Sequence, residues 1–453
     1  MLPKTMAGSA PALERLSPTS YAQCLSLTTL LKTTAKGPHH QRSRNDTGMV
    51  PAEPRMDLDA GEMAIVGEIA TLQPIALHQA SEKHTMPQIQ HIIDVLERIA
   101  PPALQEDYDN SGLLVGEPHA EIQKVLVSLD VTEEVVEEAR ASGAGLIVSH
   151  HPIVFKPLRS LTGKDQVERT VMAALRAGIG LYAIHTNLDN VAHGVNAMMC
   201  RKLGLEGMQV LRPVSGTLAK VATFVPHAHA EAVREAMFLA GGGRIGHYDE
   251  CSFNQMGEGT FRAGNGAQPF VGQLGERHHE DETRVEMVVE RWNVRKVAAA
   301  MKSAHPYEEV AHDVVMLDNA HPTAGSGGIG TFPEPVEWSD FVGRVKSAFN
   351  APIVRHTNPP KKAIRRVALC GGTGSFLLSD AMRAGADVFL SSDFKYHEFF
   401  GTEGQITIAD IGHAEAESGI SQWLVDQLAD FKLGFPNFAV LLSEVRTNPI
   451  HVS

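Results

Sequence analysis

The chain is poor in cysteine, in basic charge and in long apolar runs, and each shortage excludes a class of protein. Its 4 cysteines lie far apart and form no C-x-x-C pair, which favours reduced structural thiols over a disulfide framework. A total of 40 Lys and Arg against 53 Asp and Glu argues against a general nucleic-acid binder. No apolar run approaches the roughly 20 residues that cross a membrane. We therefore expect a cytoplasmic protein without a membrane partner.

A length of 453 residues predicts two or three domains. Residues 1–85 mix Pro, Ser, Thr and scattered charges with little periodicity, which predicts an N-terminal extension. It is either disordered or the product of a start site placed too far upstream, because Met86 directly precedes a well-patterned segment. A mitochondrial transit peptide is the alternative, since the first 44 residues carry six Lys or Arg against one Glu.

Short apolar strands alternate with amphipathic helices in two separate segments, residues 86–215 and 326–453. The first segment contains the strand-like runs 124–129, 146–149 and 181–184, with a helical pattern after each of them. Such alternation indicates βαβ units and a mainly parallel sheet. The second segment repeats the scheme and places its polar residues at similar points. We predict an α/β protein whose two related halves form one core.

The segment between the halves, residues 216–325, has a different pattern. Its elements follow the order β-α-β-β-α-β, which predicts an inserted ferredoxin-like α+β domain. The Gly-rich run 324–330 then leads back to the core. Near the end of the insert, His305-Pro-Tyr-Glu-Glu309 combines a histidine with two carboxylates. We interpret this motif as a subunit contact rather than a second metal site.

Three polar clusters each follow a strand-like stretch. His150 and His151 come directly after an apolar run, Asp189 closes His185-Thr-Asn-Leu-Asp189, and His413 and Glu417 share one face of a helix start. Strand ends in an α/β sheet are where ligands converge. The set predicts two metal ions with Asp189 between them, since paired ions in hydrolases lie roughly 3.5–4 Å apart. Mixed N and O ligands suit Zn, Mn, Fe, Co or Ni.

Chance is the competing explanation for the histidine pair, because the chain has 22 histidines and two other His-His doublets. The convergence of three clusters at equivalent strand ends favours the metal site. His185, His397 and Asp393 are the candidate catalytic residues, as proton carriers or orienting groups. Solvated loop residues or helix caps are the alternative for these three. Gly371-Gly-Thr-Gly374 is interpreted as a tight turn rather than a phosphate site.

These motifs resemble the GTP cyclohydrolase I type 2-like family, also called the NIF-three-like family, from Met86 to the C-terminus. The resemblance implies a dinuclear metal site on the five residues above and a homohexamer built from trimers. It also implies that the insert is similar to PII- and CutA-type folds. The motifs that carry it are Asp109-Asn-Ser-Gly112, Ser149-His-His-Pro-Ile-Val-Phe-Lys156, His185-Thr-Asn-Leu-Asp189, Ser392-Asp393 with His397-Glu398, and Asp410-Ile-Gly-His413 with Glu417.

Two functions are compatible with these residues. The first is a metal-dependent hydrolase that activates water against a small, nucleotide-like substrate, with GTP ring opening or phosphoester hydrolysis as the reaction. The second is a non-catalytic metal-binding or regulatory ring protein that serves metal insertion or partner binding. Five protein ligands for two ions leave coordination positions open for water and substrate, which favours the enzyme.

Overall fold

A computed structural model describes residues 86–429, 431, 434, 435 and 437–453 of the chain. The N-terminal extension expected over residues 1–85 lies outside these described residues. Among the described helices, none is both long and apolar enough to cross a membrane. The described part is a mixed α/β structure, as the alternating pattern predicts.

Fifteen strands occur in the described part of the chain. In chain order they are β1 (Gly112–Val115), β2 (Lys124–Ser128), β3 (Leu146–Ser149), β4 (Gly180–Ala183), β5 (Glu206–Pro213), β6 (Leu218–Pro226), β7 (Phe253–Arg262), β8 (Arg277–Glu290), β9 (His312–Leu317), β10 (Gly325–Val336), β11 (Arg355–His356), β12 (Ile364–Thr373), β13 (Val388–Ser392), β14 (Thr407–Asp410) and β15 (Ala439–Leu442).

The described part of the chain also forms eleven α-helices, the first of which precedes β1. They are α1 (Ile89–Ile99), α2 (Glu133–Ser142), α3 (Gln166–Ala177), α4 (Thr186–Asp189), α5 (Val195–Leu203), α6 (Ala230–Leu239), α7 (Val294–Ala304), α8 (Trp338–Phe349), α9 (Leu378–Arg383), α10 (His413–Glu417) and α11 (Gly419–Ala429).

Local sequence signals set the limits of these helices. In α2, the Thr132 hydroxyl accepts a hydrogen bond from the Val135 amide and caps the first turn. Gly143 then ends the helix in a left-handed conformation, with φ of 74°, which glycine adopts without strain. Helix α1 buries its isoleucine face, and Pro101 follows it. The limits of both helices therefore coincide with capping or terminating residues in the sequence.

Two sheets carry the core of the protein. The first has the strand order β1-β4-β3-β2-β15, in which β15, β2, β3 and β4 run parallel and β1 is an antiparallel edge. The second has the order β11-β14-β13-β12-β10-β5, with β12, β13 and β14 parallel. Each sheet therefore has a parallel centre, whose strand ends lie along a common edge.

Each core sheet contains one strand that comes from the other core segment of the sequence. Strand β5, which belongs to the first segment in sequence, pairs with β10 in the second sheet. Strand β15, at the end of the chain, pairs with β2 in the first sheet. The boundaries expected at residues 215 and 326 remain predictions, but neither sheet is made from one sequence half alone.

A single large apolar cluster joins the two sheets. It includes Val127 and Leu146 from the first sheet and Leu369 and Leu390 from the second, all inaccessible to solvent. Helix α5 packs on β12, and α11 packs on β2 and β15. Because these buried side chains are shared, the two sheets form one packed core.

The inserted segment forms a third sheet with the order β7-β8-β6-β9. Its elements run β6, α6, β7, β8, α7, β9, which is the β-α-β-β-α-β order expected from the sequence. Helices α6 and α7 cover one face and enclose an apolar cluster of their own, with Val285 and Met287 from the sheet. The expected likeness to PII- and CutA-type proteins remains a prediction.

Candidate metal centre

The five expected ligands lie at the carboxyl ends of parallel strands from both core sheets. Strand β3 leads into His150 and His151, and α4, which follows β4, ends at Asp189. In the second sheet, β14 leads into α10, which begins at His413 and ends at Glu417. The structure thus brings together residues that lie more than 260 positions apart in sequence, such as His151 and Glu417.

Four histidines of the cluster are oriented in the same way. In each ring, Nδ1 lies within hydrogen-bond distance of an oxygen acceptor, to which it donates. The distances are 2.9 Å from His150 to the Ile184 carbonyl, 2.8 Å from His151 to Asp130, 2.7 Å from His185 to Asp109, and 2.6 Å from His413 to Asp393. Metal-bound histidines have this arrangement, because an acceptor on one nitrogen holds the other toward the ion.

The Nε2 atoms of His151 and His413 converge on one carboxylate. They lie 3.1 Å from each other, and each lies 3.0 Å from Oε2 of Glu417. Ligand atoms that share an ion at about 2 Å are separated by distances of this order. These three side chains form one group able to hold a metal ion.

A second group contains His150, Asp189 and Glu417. The Nε2 atom of His150 lies 3.6 Å from Asp189 Oδ1 and 3.8 Å from Glu417 Oε2. Both His150 Nε2 and Asp189 Oδ1 are buried and have no hydrogen-bond partner. Buried polar atoms are rarely left unpaired, so these two atoms fit a bound cation. Glu417 belongs to both groups, whereas the bridging role expected for Asp189 remains a prediction.

His185 joins a third group with His150 and His151. Its ring centroid lies 5.3 Å from that of His150 and 5.4 Å from that of His151. Asp109 holds this ring from behind, and Thr186 donates to the same carboxylate. The expected catalytic residue is therefore next to the ligand set and could bind a metal or a proton there.

The charges of the first group stabilise one another. Burial opposes a charge on His151, but hydrogen bonds to Asp130 and Glu417 outweigh it and raise the pKa to about 9. In the same way, burial is outweighed at His413 by Asp393 and Glu417, which raise its pKa to about 11. Burial would raise the pKa of Glu417, yet the two imidazoles lower it well below the usual value.

In the second group, burial favours the uncharged forms of His150 and Asp189. Burial lowers the pKa of His150 to about 3, against the attraction of Glu417. Burial also raises the pKa of Asp189 well above its usual value, and the nearby Glu417 charge adds to this effect. A neutral imidazole with a free Nε2 is the form that binds a metal. A divalent cation would also remove the cost of charging Asp189.

Two residues with positive φ lie beside the cluster. Asp393 has a left-handed backbone with φ of 60°, which is uncommon for a residue other than glycine. Gly372 has φ of 59°, and a Cβ atom there would lie 2.5 Å from Glu417 Oε1. The tight turn expected over Gly371–Gly374 is wrong, because Gly371 to Thr373 are the last residues of strand β12. Gly372 there leaves space for a candidate ligand.

The candidate catalytic residues differ in their surroundings. Asp393 contacts His413 and accepts a hydrogen bond from the Thr373 hydroxyl, so it orients a ligand. Around His397, the described ring contacts are with Tyr396 and Phe400, and it belongs to none of the metal-binding groups found in the described residues. Its catalytic role remains a prediction.

Neither Asp109 nor Asp130 was among the site residues predicted from the sequence. Both carboxylates orient histidines of the cluster. Asp130 lies two residues beyond the end of β2, which runs parallel to β3. The rule that selected the strand-end histidines therefore also applies to Asp130, but a lone aspartate is a weak signal.

Fold and site together define a mixed α/β protein with a histidine- and carboxylate-rich centre at the carboxyl ends of its parallel strands. The family model described as Duf34/NIF3 (NGG1p interacting factor 3) matches residues 87–449. The chain therefore belongs to the Duf34/NIF3 family.

Curated relatives support this membership over most of their length. The GTP cyclohydrolase 1 type 2 homolog of Halalkalibacterium halodurans is 39% identical over 365 residues, which cover 80% of this chain and 97% of the relative. The Bacillus subtilis protein with the same name is 34% identical over the same shares. A crystal structure of a Bacillus cereus protein related to NIF3 has a TM-score of 0.72 and 34% identity, covering 81% of this chain and all of that one.

Proposed function

We propose that the chain is a metal-dependent hydrolase that holds two divalent ions and acts on a nucleotide-like substrate. The common orientation of four imidazoles carries this proposal, because every Nδ1 has an oxygen acceptor and leaves Nε2 for an ion. His150, His151, Asp189, His413 and Glu417 would hold the ions. Zn, Mn, Fe, Co and Ni all accept this mixed N and O ligand set.

Bound ions of this kind lower the pKa of a coordinated water toward about 7 and stabilise negative charge on an oxygen. His185 would receive a proton at Nε2 and return it to the leaving group, while Asp109 holds its Nδ1. Asp393 would keep His413 in place through its Nδ1. His397 remains a second candidate for proton transfer.

Two exposed aromatic rings beside the centre support a planar substrate. Tyr108 is 65% exposed and Phe155 is 45% exposed, and their ring centroids lie 6.3 Å apart. Tyr108 directly precedes Asp109, and the Asn110 side chain donates to the Val154 carbonyl. The two loops are therefore tied together, and their rings are free to stack on a base.

The names of the relatives suggest GTP ring opening as the first reaction to examine. In such a hydrolysis, the oxygen of water is added to the ring carbon between two nitrogens, and the bond of this carbon to one of them breaks. The carbon becomes a formyl group, and the two protons of water end on the two nitrogens. Phosphoester hydrolysis is the second candidate, because paired ions also stabilise the oxygens of a phosphoryl group. A shared fold and metal centre do not by themselves identify the substrate.

A regulatory ring protein without catalysis is the alternative function. Strand β9 supports an assembly role, since Val314, Val315 and Met316 are exposed on this edge of the third sheet. Exposed apolar residues on a sheet edge favour association with another chain. The homohexamer, the cytoplasmic location and the PII- or CutA-like character of the insert also remain predictions.

The deciding experiment compares the metal-loaded protein with its Asp189→Ala variant. Turnover of GTP or phosphoesters would be measured together with the oligomeric state. Loss of turnover with the assembly intact supports the enzyme. If the fully loaded parent turns over no nucleotide and no phosphoester, the hydrolase proposal is wrong. If the variant loses only the binding of a partner, the regulatory alternative is favoured.

A further inference from the structure

The two faces of the third sheet have different compositions. Successive residues of a strand point to opposite faces, so Val285 and Met287 of β8 face the helices. Glu282 and Arg284 lie on the other face, together with Phe224 of β6, which pairs with Arg284. This open face borders a cavity of about 720 Å³ that contains none of the candidate metal ligands.

Aromatic rings line much of this cavity. Tyr307 lies at the centre of the group, with ring centroids 6.1 Å from Phe261 and 6.3 Å from Phe270. Phe224 adds a fourth ring from the sheet. The volume falls within the roughly 300–1,000 Å³ of small-molecule sites. Ring faces carry partial negative charge and attract cations.

A buried carboxylate lies among these rings. Glu282 is only 9% exposed, lines the cavity and accepts a 2.9 Å hydrogen bond at Oε1 from the Tyr307 hydroxyl. Gly259 leaves room for its other oxygen, because a Cβ atom there would lie 2.2 Å from Oε2. The glycine and the tyrosine together hold a negative charge against an aromatic wall.

Negative groups outnumber positive ones around the cavity. The cavity lining contains two arginines, and one of them, Arg284, is already paired. It lies 2.9 Å from Glu286, which is outside the lining. The charged lining residues are Glu258, Glu282, Glu308 and Glu309 against Arg262 and Arg284. An anionic ligand such as a nucleotide therefore meets net repulsion here.

We propose that this cavity binds an organic cation, of the substituted-ammonium class, against Tyr307, Phe261 and Glu282. The aromatic faces would contact its alkyl groups, and the buried carboxylate would balance its charge. An inorganic ion fits less well, because the groups of metal-binding side chains found in the described residues all lie at the candidate metal centre. This site goes beyond the proposed hydrolase function and does not depend on it.

The test uses choline and its neutral isostere dimethylbutanol, in which carbon replaces the quaternary nitrogen. Binding of each to the full chain would be measured by calorimetry and by ligand-observed NMR. We expect choline to bind about tenfold more tightly, since the two molecules have the same shape and differ in charge. Equal binding of both molecules, or binding of neither, would overturn the proposal.

Matched variants locate the site. Glu282→Gln keeps an acceptor for Tyr307 but removes the charge, and Phe261→Leu removes a ring; each should weaken choline binding at least about fivefold. The controls are Glu280→Gln on the same strand and Phe253→Ala on the neighbouring strand, both outside the cavity lining. Unchanged affinity in the first pair, or equal losses in both pairs, would place choline elsewhere and refute the assignment.

Discussion

At the candidate metal centre, polar atoms come from the strand ends of two different sheets, whereas the insert cavity takes its lining from one sheet and the adjoining loops. The centre contains buried polar atoms without partners, such as His150 Nε2 and Asp189 Oδ1. In the cavity, the buried carboxylate of Glu282 has a partner in Tyr307, and aromatic faces are exposed instead. The first arrangement fits a small hard cation, and the second fits a cation with an apolar body.

The difference follows from where each site lies in its sheet. Parallel strand ends bring several loops to one edge, so many polar side chains can converge on one point. An open antiparallel face offers side chains at regular spacing, which form a lined surface rather than a point of convergence. The two sites therefore respond to different changes, and each of the following experiments affects one of them alone.

The largest effect is expected from Glu417→Gln at the metal centre. Oε2 of Glu417 is common to two of the three ligand groups, so the loss of its charge should remove most bound metal. Elemental analysis of the loaded protein measures this, with about two ions per chain expected in the parent. The control is Glu415→Gln, a nearby carboxylate in the same helix outside these groups. Equal metal content in both variants would contradict the assigned site.

The insert should respond to Met237→Ala without any change at the centre. Met237 is inaccessible and belongs to the separate apolar cluster of the insert. Its truncation should lower the free energy of unfolding by about 2–5 kcal/mol. Chemical denaturation measures the loss, and Leu239→Ala on the exposed side of the same helix is the control. A parallel loss of metal from the Met237 variant would show that the two regions are not independent.

A smaller effect is expected from Tyr108→Ala beside the metal centre. Loss of one stacked ring costs about 1–3 kcal/mol per base, so KM for a nucleotide substrate should rise about tenfold. Steady-state kinetics of the metal-loaded protein checks this, with metal content unchanged. Tyr248→Ala serves as the control, because Tyr248 is also an exposed tyrosine, at 75%, and lies in the insert region. An unaltered KM would remove the support for a planar substrate.

The smallest effect is a shift in thermal midpoint with pH in the metal-free protein. The lowered pKa of His150, about 3, means that stability is lost as the pH falls below the unfolded value of about 6.5. The raised pKa of His151, about 9, means that its contribution is lost as the pH rises from about 6.5 through 9. The combined contribution of these two histidines to stability should therefore be greatest near pH 6.5.

Thermal scans in the presence of a chelator test this shape. Asp130→Asn weakens the hydrogen bond that keeps His151 charged, so the decline above pH 6.5 should become shallower. The insert offers a control in Glu258→Gln, whose histidine partner is exposed on the surface. A metal-free protein whose midpoint does not change between pH 5 and 9 would contradict both histidine assignments.

Sequence alone predicted many of the elements of this protein and proposed the five candidate metal ligands. The spacing of isoleucines marks α1, Thr132 marks the start of α2, and strand ends predicted His150, His151 and Asp189. These features are local, because a helix or strand shows its buried face within a few residues. The order of elements in the insert was predictable for the same reason.

Only the tertiary structure decided which groups meet. The exchange of β5 and β15 between the sheets depends on pairing across the whole chain. The contacts of His151 with Asp130 and Glu417 join residues 21 and 266 positions away. The acidic aromatic cavity of the insert likewise required the packing of its loops on one sheet face. Such partners are selected by packing and charge in three dimensions, which the local sequence pattern does not record.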